Sequence, residues 1–221
     1  LMKEISSKVE SSKKDIKAMI LNFPSNPTAE ICSLDFYKEI VPYAKKHDII
    51  LLSDLAYAEI YFDKNEVPVS ILEVDGAKDI AVEFTSLSKS FSMPGWRMGF
   101  AVGNEYLISA LTRIKSYLDY GAFTPIQVAS AAALNSKESI IDDIRSVYKG
   151  RRDVLVESFS RAGWDVPSPR ATMFAWTPLP EKFKHLSSLE FSKILLEEAD
   201  IAVSPGIGFG KNGEGFVRLS M

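Results

Sequence analysis

Residues Ile49–Ser53 read IILLS, an unbroken apolar run far too short to cross a bilayer and without the polar alternation of a half-exposed strand. A run of this kind belongs to a parallel strand covered by helices on both faces. Three more segments read as strands of the same sheet: Ala18–Phe23 (AMILNF), closed by Pro24 and Pro27, then Asp79–Phe84 (DIAVEF) and Met98–Val102 (MGFAV). Between the first two, Ser33 is placed to cap a helix whose apolar positions Phe36, Ile40, Val41 and Ala44 recur at helical spacing. Lys45, Lys46 and His47 supply the cations that suit its C-terminus. Pro42 falls inside this helix and is expected to kink or split it. Strand, helix, strand is the unit of an α/β fold.

Further on, a helix is expected from about Glu105 to Tyr117, an interruption at Gly121–Pro125, and an alanine-rich helix over Ile126–Leu134. Ile140, Ile141, Ile144, Val147, Val154, Leu155 and Phe159 fit one long helix between Ser136 and Ala162, stopped by Gly163. After Gly163 the texture becomes that of a small α+β unit. Trp164–Val166, Thr172–Trp176, Ile201–Val203 and Gly215–Leu219 read as short strands, and Ser188–Ala199 as an amphipathic helix. The opening stretch, up to Lys17, is polar, so the first strand starts close to the beginning of the sequence.

Composition removes several function classes. At 46% apolar and 25% charged the chain is globular rather than disordered, and 26 Lys plus Arg against 29 Asp plus Glu leave no excess to attract nucleic acid or anionic lipid. One cysteine, Cys32, with only His47 and His185 beside it, permits neither an internal disulfide nor a Cys/His zinc cage, and suits the reducing cytoplasm. Neither a membrane span nor a secretory leader is expected.

The segment Thr85–Gly99, TSLSKSFSMPGWRMG, holds most of the chemistry. Lys89 lies just beyond a buried strand, at the sheet edge where α/β folds bind ligands, with hydroxyls at Ser86 and Ser88 and a guanidinium at Arg97. An amine so placed can condense with an aldehyde once burial or a neighbouring cation lowers its pKa, while hydroxyls and arginine serve a phosphate. Together they point to pyridoxal phosphate. Taken singly, Lys89 is a surface lysine and Arg97 a rim arginine.

Asp54 follows IILLS directly, where an ionised carboxylate needs a positive partner, and a protonated pyridine nitrogen is one. Its alternative is a loop cap. Tyr57 can offer its phenol to the cofactor's ring oxygen, or be a half-buried interface aromatic. Asn26, in the turn SNPT, can reach the same oxygen, or simply make the turn. Arg218, in GEGFVRLSM, has the fork needed for a substrate carboxylate, with an exposed strand arginine as an even alternative. The glycine run SPGIGFGKNGEG lacks the lysine and hydroxyl of a phosphate loop and reads as a turn-rich connection.

With SNPT, DLAY at Asp54–Tyr57, SLSK and WRMG within Ser86–Gly99, and GFVR at Gly215–Arg218, the sequence resembles the class I aminotransferases of pyridoxal-phosphate fold type I. The resemblance implies that Lys89 bonds the cofactor aldehyde and then moves the proton from the substrate's Cα. Asp54 would hold the ring nitrogen, Asn26 and Tyr57 the ring oxygen, and Ser86 and Arg97 the phosphate, with Ser88 as a phosphate neighbour. Arg218 would take the α-carboxylate, and Pro27 would follow a cis bond. The stretches VEFTSLSKSFSMPGWRMGFAVGN and SLEFSKILLEEADIAVSPGIGFG resemble the branch of alanine (glutamate-pyruvate) aminotransferases, with LL-diaminopimelate and aspartate aminotransferases as near relatives.

Carried through, the resemblance implies an α/β chain made of the C-terminal half of a large three-layer domain (1–117), a helical connection (118–145) and a small α+β domain (146–221). Family members are nearly twice as long, so the sequence looks like a fragment whose strands expose apolar edges and faces. The implied reaction moves an amino group between an L-amino acid and a 2-oxo acid in a cytoplasmic homodimer. Two rivals stand beside it: a C–S β-lyase on the same fold, and a non-catalytic remnant or interaction module.

Overall fold

The computed structural model describes residues 1–221. Strands β1 (Ala18–Asn22), β2 (Ile50–Asp54), β3 (Ala81–Ser86) and β4 (Gly99–Gly103) form one sheet in that spatial order. The first three are parallel, and β4 runs antiparallel to β3. The connecting segment, 87–98, closes on itself where the Leu87 amide donates to Met98 O at 3.2 Å, so the chain returns alongside β3 instead of crossing a face of the sheet.

Two short helices intervene in sequence between strands or precede them. Helix α1 (Met2–Ser11) lies in the stretch read as merely polar; its Met2, Ile5 and Val9 form a narrow apolar stripe against the core. Helix α2 (Leu34–Lys46) is capped by Ser33, whose Oγ accepts from the Phe36 amide at 3.2 Å. It packs Tyr37, Ile40, Val41 and Ala44 on Leu21, Ile49 and Leu51 of the sheet. It also runs through Pro42 as a single helix, contrary to the expected split. A proline costs a helix about 3 kcal/mol, and burying Ile40 and Val41, at roughly 1.5–3 kcal/mol each, offsets that.

The same core holds a carboxylate. Glu83 is 4% exposed and accepts from Ser53 Oγ at 3.2 Å, Ser70 Oγ at 2.7 Å and the Ile71 amide at 3.1 Å. Buried charge is tolerated where donors surround it.

Helices α4 (Glu105–Leu118) and α5 (Thr124–Leu134) lead to the long α6 (Ser139–Arg161), ended at Gly163 with φ 80°. Strands β5 (Phe174–Pro178), β7 (Phe216–Ser220) and β6 (Ser204–Pro205) then make an antiparallel sheet in the order β5-β7-β6, covered by α7 (Ser188–Ala199). Trp164, Val166, Ala175, Phe191, Val217 and Leu219 form a second core there.

Two expected strands are absent. Trp164–Val166 is irregular because the Trp164 amide closes α6 onto Phe159 O at 2.9 Å and its indole donates to Pro178 O. Ile201–Val203 is irregular because the Ile201 amide closes α7 onto Leu195 O, so pairing with β7 begins only at Ser204. Apolar surface stands in solvent as the sequence implied: Ile20 on the edge strand β1 is 73% exposed, and Tyr117 and Leu118 at the end of α4 and Tyr120 and Phe123 beyond it are also exposed.

The connection after β2 ties the two sheets together. Tyr61 bridges Ala171, Arg170 grips Glu66 with two bonds of 2.7 Å, and Arg145 of α6 lies 3.9 Å from the Tyr61 ring centre.

Candidate active site

The carboxyl ends of the parallel strands lie side by side, with Asn22 in register with Asp54 and Asp54 with Phe84. Three loops leave this edge, which is where α/β sheets bind ligands. The loop after β1 carries Asn26, the loop after β2 carries Tyr57, and β3 ends at Ser86 with Lys89 in the turn that follows.

Asp54 ends β2 half-buried, its Oδ1 accepting from the Ala56 amide at 3.2 Å. It thus makes the cap its alternative reading foresaw, but a carboxylate has about four acceptor sites and most stay free. Tyr57 is 8% exposed and meets Phe174 of β5 edge-on at 5.4 Å. Burial raises its phenol pKa; the charge of Arg218 opposes this, and Asp54 and Tyr148 add to it. The phenol is therefore within the field of both the acid on one sheet and the cation on the other. The ammonium of Lys89 lies 5.6 Å from the Tyr57 ring centre.

Ser86 caps the single turn α3 (Leu87–Ser90), its Oγ accepting from the Ser88 amide at 3.2 Å, which leaves its own O–H to donate elsewhere. Ser88 itself is buried. The turn after α3 folds back so that Gly99 pairs with Ser86 and the Leu87 amide meets Met98 O. Gly99 permits this approach, because a Cβ there would stand 2.5 Å from Thr85 O. Arg97, two residues before Gly99, has φ 53°, but its guanidinium is exposed and donates to Pro94 O at 3.0 Å. It does not join the contacts of Lys89 and Tyr57.

Arg218 comes from β7, opposite Trp176 of β5 and Ser204 of β6. One of its Nη atoms donates to Asn26 Oδ1 at 2.8 Å and the other to Ser204 Oγ at 3.3 Å, while Nε is buried without an acceptor. Asn26 is therefore engaged by the arginine, and its own amide N–H is held by Asn22 Oδ1 at 2.8 Å. The Asn26–Pro27 bond is cis, and so is Phe23–Pro24. Phe174 and Phe209 lie 5.0 and 4.9 Å from the Arg218 guanidinium carbon. Sequence reading missed Ser204, Phe174 and Phe209. The available signal was period two: Phe174 and Trp176 share one face of β5, and Trp176 opposes Arg218.

The residues fit a phosphorylated pyridine aldehyde. A carboxylate with free lone pairs, an amine, a buried phenol and a free hydroxyl lie along one sheet edge, and a guanidinium of the other sheet bonds Asn26 of the same edge. The family profile described as aminotransferase class I and II matches residues 1–221. The chain belongs to this family. AatC of Rhizobium meliloti, named as an aminotransferase, is 68% identical over 204 residues, covering 92% of this chain and 50% of that protein. The glutamate-pyruvate aminotransferase AlaC of Escherichia coli is 51% identical over 218 residues, covering 99% of this chain and 53% of its own length. The solved structure of an aminotransferase from Staphylococcus aureus superposes with a TM-score of 0.88 at 34% identity, over 97% of this chain and 56% of that one. The chain spans about half the length of the curated relatives it matches. Its architecture is that of pyridoxal-phosphate fold type I, and the aminotransferase family is pyridoxal-phosphate dependent.

Proposed function

We propose that this chain carries the residues that transfer an amino group between an L-amino acid of the alanine or glutamate type and a 2-oxo acid. Pyridoxal phosphate, when bound, supplies the electron sink that makes the substrate's Cα–H acidic. One observation carries the reading: the Tyr57 ring has the Lys89 ammonium 5.6 Å from its centre and Phe174 at 5.4 Å, and Phe174 in turn packs on the Arg218 guanidinium. An amine beyond the end of one sheet and an arginine fork on the other are thus linked through Tyr57 and Phe174.

In this reading Lys89 bonds the cofactor and carries the proton at the substrate's Cα. Asp54 holds a proton on the ring nitrogen, and its position at the end of an apolar strand strengthens that charge pairing. Tyr57, kept protonated by burial, donates to the ring oxygen, and the Asn26 side-chain NH2, turned away from Arg218, is the second donor to that oxygen. Ser86 donates to the phosphate; Arg97 reaches it only by exchanging Pro94 O for a phosphate oxygen, and Ser88 stands behind. Arg218 binds the α-carboxylate with the donors Asn26 and Ser204 leave free. The finer parts of the reading, a homodimer and a cytoplasmic location, rest on the family and on the single unpaired cysteine Cys32.

The test is borohydride reduction of the chain mixed with pyridoxal phosphate, followed by peptide mapping. A pyridoxyl group on Lys89, abolished by Lys89→Ala, is the expected result. A label spread over surface lysines, or no saturable label, returns the chain to the class of non-catalytic modules.

A further inference from the structure

Phe209 is 39% exposed at the end of a short 3-10 turn, Gly206–Phe209, inside the glycine run that read as a plain connection. Its ring belongs to neither apolar core. Its neighbours are specific: Trp176 meets it edge-on at 5.6 Å, and the Arg218 guanidinium carbon lies 4.9 Å from its centre. Trp176 is itself stacked on Phe216 at 5.3 Å with 4° between the planes.

The turn that carries Phe209 is firmly anchored. The Ile207 amide donates to Ser188 Oγ at 3.1 Å, and Ser188 is fully buried. Glu214 accepts from the Ser188 amide at 2.5 Å and from its hydroxyl at 3.2 Å. Gly206 and Gly213 sit back to back, where a Cβ on Gly206 would stand 1.9 Å from Gly213 O. An exposed ring on an anchored turn, packed on a cation, is built to act on that cation.

We propose that Phe209 is a positioning residue for Arg218: its ring holds the guanidinium so that the N–H fork meets an α-carboxylate at the right angle. The proposal rests on the carboxylate role given to Arg218 above. Attraction between a cation and a ring face consumes none of the five N–H donors, so the edge of the fork stays free for Asn26, Ser204 and a ligand. A hydrogen-bonding partner in the place of Phe209 would compete with the carboxylate. An aliphatic one would leave rotation about the Cζ–Nε bond restrained only by Asn26, Ser204 and Phe174.

The experiment uses the 221-residue chain labelled with 15N-arginine, the Arg218 signals being identified by their loss in Arg218→Lys. Rotation about Cζ–Nε is read from exchange of the Nη resonances, and carboxylate affinity from titration with pyruvate. Phe209→Ala should accelerate the rotation and weaken pyruvate binding about tenfold, the scale of a partly desolvated cation–ring contact. Phe209→Tyr should restore both, and Phe209→Leu neither. Rotation unchanged in Phe209→Ala, or recovered in Phe209→Leu as fully as in Phe209→Tyr, overturns the proposal. If pyruvate leaves the Arg218 signals of the unsubstituted chain unmoved while rotation still responds to Phe209, positioning of the guanidinium stands and the carboxylate role falls.

Discussion

Arg218 and Asn26, 192 residues apart in sequence, share a hydrogen bond of 2.8 Å from guanidinium to side-chain carbonyl. The bond joins the last strand of one sheet to the first loop of the other. It also decides how Asn26 is oriented: the oxygen faces the arginine, so the NH2 group faces elsewhere and is free to donate. A turn asparagine and a strand arginine, each with an ordinary alternative, thus become parts of one site.

Replacing Arg218 by lysine keeps the charge and removes the fork. A single ammonium cannot span both Asn26 Oδ1 and Ser204 Oγ and still present two donors to a carboxylate. Pyruvate binding to Arg218→Lys, followed by calorimetry, should weaken by about 2 kcal/mol, the worth of one charge-assisted hydrogen bond. Equal affinity in the variant would remove the arginine from the carboxylate site.

The buried Glu83 should matter for stability rather than for ligand binding. Glu83→Ala leaves Ser53, Ser70 and the Ile71 amide without their acceptor, a loss of about 3 kcal/mol or more in urea unfolding. Glu83→Gln retains a side-chain carbonyl and should lose less. An unshifted urea midpoint in the alanine variant would show that the network contributes nothing.

The anchored turn can be tested sterically. Gly206→Ala drives a methyl to within 1.9 Å of Gly213 O, whereas Gly208 has no atom within 4 Å of an added Cβ. Gly206→Ala should lower stability by about 2–4 kcal/mol and Gly208→Ala by less than about 1 kcal/mol. Thermal melts that rank the two the other way would refute the back-to-back packing.

Glu214 introduces an acid-sensitive element. Bonds from the Ser188 and Gly215 amides and the Ser188 hydroxyl hold its carboxyl below the ordinary carboxylate range, so the ionised form favours the folded turn. That contribution is fully present above the unfolded value of about 4.3 and is lost as pH falls through the lowered folded value. Near-ultraviolet circular dichroism from Trp176 and its aromatic neighbours should therefore change in mildly acidic solution, below about pH 4.3, before global unfolding. Glu214→Gln should shift or erase that acid transition; an identical titration in both proteins would assign it to another group.

Several elements were legible before any coordinates because their signals are local. Helix α2 carries its cap at Ser33 and its apolar stripe in thirteen consecutive residues, and α7 begins and ends where its pattern does, at Ser188 and Ala199. Lys89, Asp54 and Tyr57 stand out in the sequence as candidates because each follows a buried strand within a few residues. Helix α1 was missed because its stripe of Met2, Ile5 and Val9 is thin among lysines and serines. Glu83 was missed because an acid in DIAVEF looks like the exposed face of a strand until Ser53 and Ser70 are seen around it.

The chain's own order of residues determined the strand-and-helix alternation, the sheet edge that gathers Asp54, Tyr57 and Lys89, and the class of ligand those groups suit, since each depends on spacing within one element or on the next turn. Tertiary packing alone decided the antiparallel course of β4, the pairing of Arg218 with Asn26 and Ser204, and the ring of Phe209 on that arginine. Contacts between segments that lie far apart along the chain leave no periodic trace in either segment, because what defines them is a distance that exists only after both sheets have closed around their cores.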